Sequence, residues 1–202
     1  MSQPASILAR SDDEALVLAL LEGHPAAKVE LFDRYMRHVE RILARVLGHD
    51  ADLADLLHEV FVRALGAIGT LEDARALKGW LTGIAVITAR EHIRRRIRGR
   101  WLRFFAPEDL PEVEGAAPDD EGREALRATY AVLGRLAADD RIAFALRHVE
   151  GLELKDVADA CGVSLNTIKR RLARAESRFS SLAAREPALQ TWNERMARWK
   201  RV

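Results

Sequence analysis

The sequence predicts an all-α protein of two small helical domains joined by an acidic flexible linker. Three observations carry that expectation. Apolar residues recur at three-to-four spacing along most of the chain, the spacing that lays one stripe along a helix. Beta-branched residues are sparse while Ala, Leu, Arg and Glu abound, and these are strong helix formers. Between Glu108 and Glu121 there are seven acidic residues and no Lys or Arg, inside "APEDLPEVEGAAPDDEG" with its three prolines and two glycines. Such a composition reads as linker. The expected units are residues 1–103, a linker over 104–122, a second helical unit over 123–184 and a tail over 185–202.

Ser11, followed by Asp12, Asp13 and Glu14, has the form of a helix start with acids in its first turn. "HPAAKVELFDRYMRHVERILARVLG" is a second helix, with Val29, Phe32, Val39, Ile42, Leu43 and Val46 at helical spacing and Gly48 to end it. "DADLADLLHEVFVRALGAIG" is a third, stopped by Gly66 and Gly69. On it Asp52, Asp55, Glu59, Val62 and Arg63 share an outward arc, while Leu53, Leu57, Val60, Phe61 and Ala64 form the buried side. "DARALKGWLTGIAVITAREHIRRRIRGR" is a fourth, apolar nearly all round from Trp80 to Ala89 and therefore expected to be well buried there. The tail opens with a proline break and carries Trp192 and Trp199; a helix packed on the second unit and a partner site are both open to it.

The formal net charge of +1 averages over blocks of opposite sign. Arg94, Arg95, Arg96, Arg98, Arg100 and Arg103 make one basic run, and a second runs from Lys169 to Arg178. Two cationic patches separated by acid suggest two contacts with a polyanion. The single cysteine, Cys161, allows no internal disulfide and suits a reducing compartment. No run of about 18 apolar residues occurs, so no membrane insertion is expected and the expected location is cytoplasmic. Enzyme chemistry finds no constellation: "HEVFV" at His58 lacks the second histidine of a zinc-binding helix, and no phosphate-cradling glycine loop or nucleophile motif occurs. No metal and no cofactor are expected.

"LELKDVADACGVSLNTIKRRLARAE" reads as helix, glycine turn, second helix. Leu154, Val157, Ala158 and Cys161 share one face, Gly162 allows a left-handed turn residue, Val163 is an apolar plug and Ser164 is the N-cap. Cys161 therefore reads as a packed thiol. On the second helix Leu172, Ala175 and Phe179 fall within about 40° of Ile168 at 100° per residue. Asn166, Arg170, Ala173 and Ser177 lie opposite, flanked by Thr167, Arg174, Lys169 and Arg171. Guanidinium forks there suit guanine edges, the small Ala173 permits close approach, and Asn166 and Thr167 suit phosphate or base contact.

These motifs resemble the extracytoplasmic-function group of the sigma-70 family of RNA polymerase sigma factors. "LRHVEGLELKDVADACGVSLNTIKRRLARAE" is similar to their region 4, "DADLADLLHEVFVRAL" to region 2.2 and "LKGWLTGIAVITAREHIRRRIR" to regions 2.3 to 2.4. The resemblance implies a promoter-specificity subunit, cytoplasmic and nucleoid-associated, monomeric when free, whose partners are core RNA polymerase, promoter DNA and an anti-sigma factor. It assigns polymerase binding to Asp52, Asp55, His58, Glu59, Val62 and Arg63. It assigns single-stranded minus-10 capture to Trp80, Ile87, Arg90, Arg94, Arg95 and Arg96. Duplex minus-35 reading falls to Asn166, Thr167, Lys169, Arg170, Arg171, Ala173 and Arg174. His58 stands where the family usually has Gln, and Ile87 where many relatives have an Asn that contacts an extruded base. Trp80 also reads as a core tryptophan, and the acidic linker as either a spacer or a phosphate mimic in the RNA channel. The rival is a polymerase-independent helix-turn-helix repressor or activator, which leaves the acidic arc and the Arg94–Arg103 run without a role.

Overall fold

The computed structural model describes residues 5–48, 50–100 and 120–190. Eight α-helices are found among them: α1 (Ala5–Leu21), α2 (Pro25–Leu47), α3 (Leu53–Ala67), α4 (Leu77–Arg100), α5 (Asp120–Leu133), α6 (Ala138–Phe144), α7 (Leu154–Cys161) and α8 (Leu165–Ala183). Two short 3-10 turns, Ile68–Thr70 and Ala74–Ala76, connect α3 to α4. A π-helical segment, Ala145–Val149, continues α6. No strand occurs among the described residues, as the fold-class expectation requires.

Two boundaries differ from expectation. α1 begins at Ala5, so Ser11 lies inside the helix; Ile7, Leu8, Ala9 and Arg10 present no break before it. α3 passes through Gly66 and ends at Ala67. One glycine in a helix costs about 1 kcal/mol, and the buried Phe61, Ala64 and Ile68 around that turn outweigh it. Most of the acidic linker, along with Trp192 and Trp199, lies outside the described residues.

α2, α3 and α4 pack together through Leu31, Val39, Ile42, Leu43, Val60, Phe61, Leu77 and Leu81, with α1 laid on α2 through Leu16, Val17 and Leu20. Gly48 ends α2 at φ 70°, as expected. A Cβ there would meet the Tyr130 ring of α5 at 2.7 Å, so the glycine serves both the turn and a close approach.

The second unit does not stand apart from the first. α4 packs against α7 and α6 as well as α2 and α3, and Ile142, Leu146, Val157, Ala158, Cys161, Ile168 and Leu172 join the same buried cluster. This explains the sequence of α4, apolar nearly all round: it has partners on two sides. A smaller cluster of Val132, Leu133, Leu136, Ala175, Leu182 and Leu189 ties α5 to α8 and to the start of the tail. Polar groups seal the contact between units. Arg141 of α6 donates to the carbonyls of Val46 (2.8 Å) and Leu47 (2.9 Å), which the end of α2 leaves without helical partners. Glu150 pairs with Arg41 (2.9 Å) and Arg45 (3.9 Å) of α2.

Candidate polymerase and nucleic-acid interfaces

α8 is built by local rules. Gly162 takes φ 65° after α7, and the Ser164 hydroxyl accepts from the Thr167 amide at 3.3 Å. Ile168, Leu172 and Ala175 are buried and Phe179 stacks on Phe144 at 4.8 Å between ring centroids. The opposite face, with Asn166, Lys169, Arg170 and Ala173, is exposed. The two remaining arginines are held. Both nitrogens of the Arg174 fork reach the Asp140 carboxylate, Nε at 2.6 Å, and Arg171 lies half-buried 3.5 Å from Asp139. The fork of Arg174 is therefore fixed from behind by α6 while more than half of it remains in solvent. The Cys161 thiol is buried, and burial pushes its pKa up, as befits a packed thiol.

On α4 every candidate arginine has an acidic partner. Arg90 and Arg94 approach Asp139 at 2.8 and 3.2 Å. Arg95 reaches Glu59 at 3.5 Å, and Arg96 donates to Asp50. Trp80 is half-buried against the core, so the core reading describes its inner edge. Ile87 is 45% exposed. Asp50 is itself nearly buried and accepts from His92 Nε2–H at 2.9 Å and from the Asp52 amide at 3.1 Å. Burial alone would raise its pKa, but these bonds and the charges of His92 and Arg96 outweigh it and hold the carboxyl down to about 2. Thr82 donates to the Lys78 carbonyl, so His38 Nε2–H donates to Thr82 at 2.9 Å. Burial, with Lys78 and Arg41 nearby, lowers the His38 pKa.

The acidic arc of α3 is accessible. Val62 is 70% exposed between exposed Asp55 and half-buried Glu59 and Arg63. Arg63 bridges Glu59 and Glu91, each at 2.6 Å; the Arg63 bond lowers the Glu91 pKa. His58 lies stacked over Phe32, centroids 6.1 Å apart, with Nδ1–H donating to the Ala54 carbonyl. Asp52 holds the N-cap position without making a side-chain cap bond. An exposed apolar residue ringed by carboxylates suits a protein surface bearing arginines.

Sequence reasoning missed Asp139, Asp140, Arg141 and Glu150. "LAADDRIAF" signals only acids in the first turn of a helix, and no local pattern reveals a tertiary ion pair.

Both units of the chain are similar to known proteins. Residues 31–99 match the family model for Sigma-70 region 2, and residues 126–179 match that for Sigma-70, region 4. The ECF RNA polymerase sigma factor SigC of Mycobacterium tuberculosis is 34% identical over 181 residues, covering 88% of this chain and 95% of that protein. The RNA polymerase sigma-H factor of Pseudomonas aeruginosa is 30% identical over 179 residues, covering 84% and 92%. Among solved structures, CnrH in complex with the cytosolic domain of CnrY shares the fold at TM-score 0.60 and 22% identity, over 86% of this chain and 98% of that one. The sigma factor RpoE of Bartonella quintana, in complex with the anti-sigma factor NepR, does so at TM-score 0.58 and 23% identity, over 75% and 92%. The chain belongs to the sigma-70 family of RNA polymerase sigma factors, in its ECF group.

Proposed function

We propose that this chain docks on core RNA polymerase through α3, captures the melted minus-10 strand along α4 and reads the minus-35 duplex with α8. The observation that carries the reading is the division of exposed chemistry between helices. α3 presents carboxylates around Val62, whereas α8 presents Lys169, Arg170 and Ala173 above a packed stripe. Carboxylates around an apolar residue repel nucleic acid and suit a protein helix; cations around a small residue suit a groove. The chemistry of RNA synthesis belongs to the polymerase, and this chain supplies specificity. No helix among the described residues is long and apolar enough to cross a membrane, and the function places the chain in the cytoplasm at the nucleoid, restrained by an anti-sigma partner.

Run-off transcription with core polymerase on genomic fragments tests the whole reading: discrete start sites are expected only when this chain is added. Asp55→Ala with Val62→Ala should reduce co-purification with core polymerase while the circular dichroism of the chain is unchanged. Normal co-purification moves the docking surface off α3. Tight binding to a duplex operator without polymerase, as a dimer, replaces the reading with that of a repressor.

A further inference from the structure

We infer that His92 Nδ1 and the Asp52 carboxylate, supported by Asp50, form a binding site for zinc or a neighbouring divalent transition-metal ion. The site lies between the start of α3 and α4. The sequence reading expected no metal because the residues come from distant segments: His92 meets Asp50 42 positions away, and no spacing motif joins them.

The imidazole is presented as metal-ligating imidazoles are. His92 Nε2–H donates to Asp50 Oδ2 at 2.9 Å, and the two side chains are only 7% and 5% exposed. A carboxylate on one ring nitrogen fixes the tautomer and leaves the lone pair of the other nitrogen for a cation. Asp50 is itself held, by Arg96 and by the Asp52 amide at 3.1 Å, so turning the ring breaks the whole set.

Nδ1, in contrast, has no hydrogen-bond partner among the described residues, and it faces Asp52 Oδ2 at 3.9 Å. That is too long for a hydrogen bond and close to the separation of two ligands sharing one ion. Bonds of about 2.0–2.2 Å to a tetrahedral zinc set its ligands about 3.4 Å apart. Asp52 can close the remaining gap. It holds the N-cap position of α3, where an aspartate ordinarily accepts from a helix amide, yet it makes no such bond and is 61% exposed. Asp50, Asp52 and His92 each offer one ligand atom within 4.8 Å of the others, so Asp50 Oδ1 can add a third donor. Nitrogen with carboxylate oxygen suits zinc and its neighbours, whereas magnesium and calcium take oxygen sets. The nearby cations do not block the site. Arg96 contacts the same Asp50 oxygen as Nε2, on that side of the ring, and Arg141 is turned to the carbonyls of Val46 and Leu47. Water completes the coordination on the Asp52 side. Only the folded chain brings these groups together, so the ion stabilises the fold by tying the turn before α3 to α4.

The test is calorimetric titration of the full-length free chain, without an affinity tag and freed of metal by chelator, with zinc chloride. One zinc per chain is expected, and in the long-range proton–nitrogen spectrum of the imidazoles His92 Nδ1 should shift while Nε2 keeps its proton. Asp52→Asn, at an exposed carboxylate without a hydrogen bond, leaves the fold in place and should weaken zinc binding by at least about tenfold, as Asp50→Asn should by about 10–100-fold. Asp156→Asn makes the same charge change at an exposed acid of α7 and should bind zinc as wild type does. At 100 times its Kd, zinc should shift the folding equilibrium of wild type about 100-fold in urea denaturation, and that of Asp52→Asn far less at the same concentration. Absence of zinc binding, full affinity in Asp52→Asn, an equal loss in Asp156→Asn or an unmoved His92 signal overturns the site. Displacement of zinc by an equal concentration of magnesium chloride overturns ligation by the imidazole.

Discussion

Arg174→Ala separates two roles that a single guanidinium combines. Its partner Asp140 is only 5% exposed, so the substitution leaves a carboxylate in α6 without its cation. Removing one member of a fully buried pair costs about 3–5 kcal/mol. Here more than half of the guanidinium is in solvent, water screens its end of the pair, and water can follow into the gap. The expected loss falls to about 1–2 kcal/mol. Asp140→Ala removes the same interaction from the other side, and the double variant should recover part of the sum, with a coupling of at least about 1 kcal/mol in a urea-denaturation cycle. Transcription supplies the second readout. If Asp140 aims Arg174 at the minus-35 element, Asp140→Asn should weaken the promoters that Arg174→Ala weakens. Arg170→Ala, at an exposed residue, should instead cost promoter use worth about 1–3 kcal/mol for a lost base contact with stability intact. A coupling near zero, or Asp140→Asn with full promoter activity, refutes the argument that α6 positions the fork.

Two further expectations concern the contact between units. Gly48→Ala places a side chain at φ 70°, ψ −149°, a backbone region nearly reserved for glycine, at a cost of about 1–3 kcal/mol before the displacement of Tyr130 is added; a thermal melt within about 1 °C of wild type contradicts this. The Asp50 carboxyl is held down to about 2, below the ordinary aspartate value of 3.8, so its contribution is present above pH 4 and lost as pH falls toward 2. That contribution is about 2 kcal/mol, and the stability advantage of wild type over Asp50→Asn should shrink across that window. Parallel curves for the two proteins remove Asp50 from the account.

What the sequence made legible was what local chemistry determines. The turn at Gly162, the Ser164 cap and the stripe on α8 depend on residues within a few positions of one another, and the structure places them as expected. The exposed arc of α3 followed from helical spacing in the same way, Leu53 alone being less buried than expected and Leu56 taking its place. Burial of α4 was legible too, but not its cause, because a helix apolar on two sides does not say which element covers the second. The ion pairs were hidden most completely. Arg174 finds Asp140 34 positions away and Arg41 finds Glu150 109 positions away. The arginine runs therefore looked like free cations, whereas in the folded chain Arg90, Arg94, Arg95, Arg96, Arg171 and Arg174 all face carboxylates.

The side chains that α4 buries differ in size from one contact to the next. Within the first unit, α2, α3 and α4 meet through Leu31, Ile42, Leu43, Phe61, Leu77 and Leu81, each worth about 1.5–3 kcal/mol when fully buried. Where α4 meets the end of α7, the neighbours are Gly83, Arg90, Ala160 and Cys161. Small side chains let these two helices approach closely at that point, while Ile142, Leu146, Val157 and Ile168 are fully buried in the cluster that α4 shares with the second unit. The contact between the units is held by this apolar packing as well as by ion pairs such as Arg90 with Asp139, and only the ion pairs respond to a polyanion. The candidate docking arc on α3 and the candidate strand-binding arginines on α4 thus belong to one packed unit, and α8 joins it through the same buried cluster.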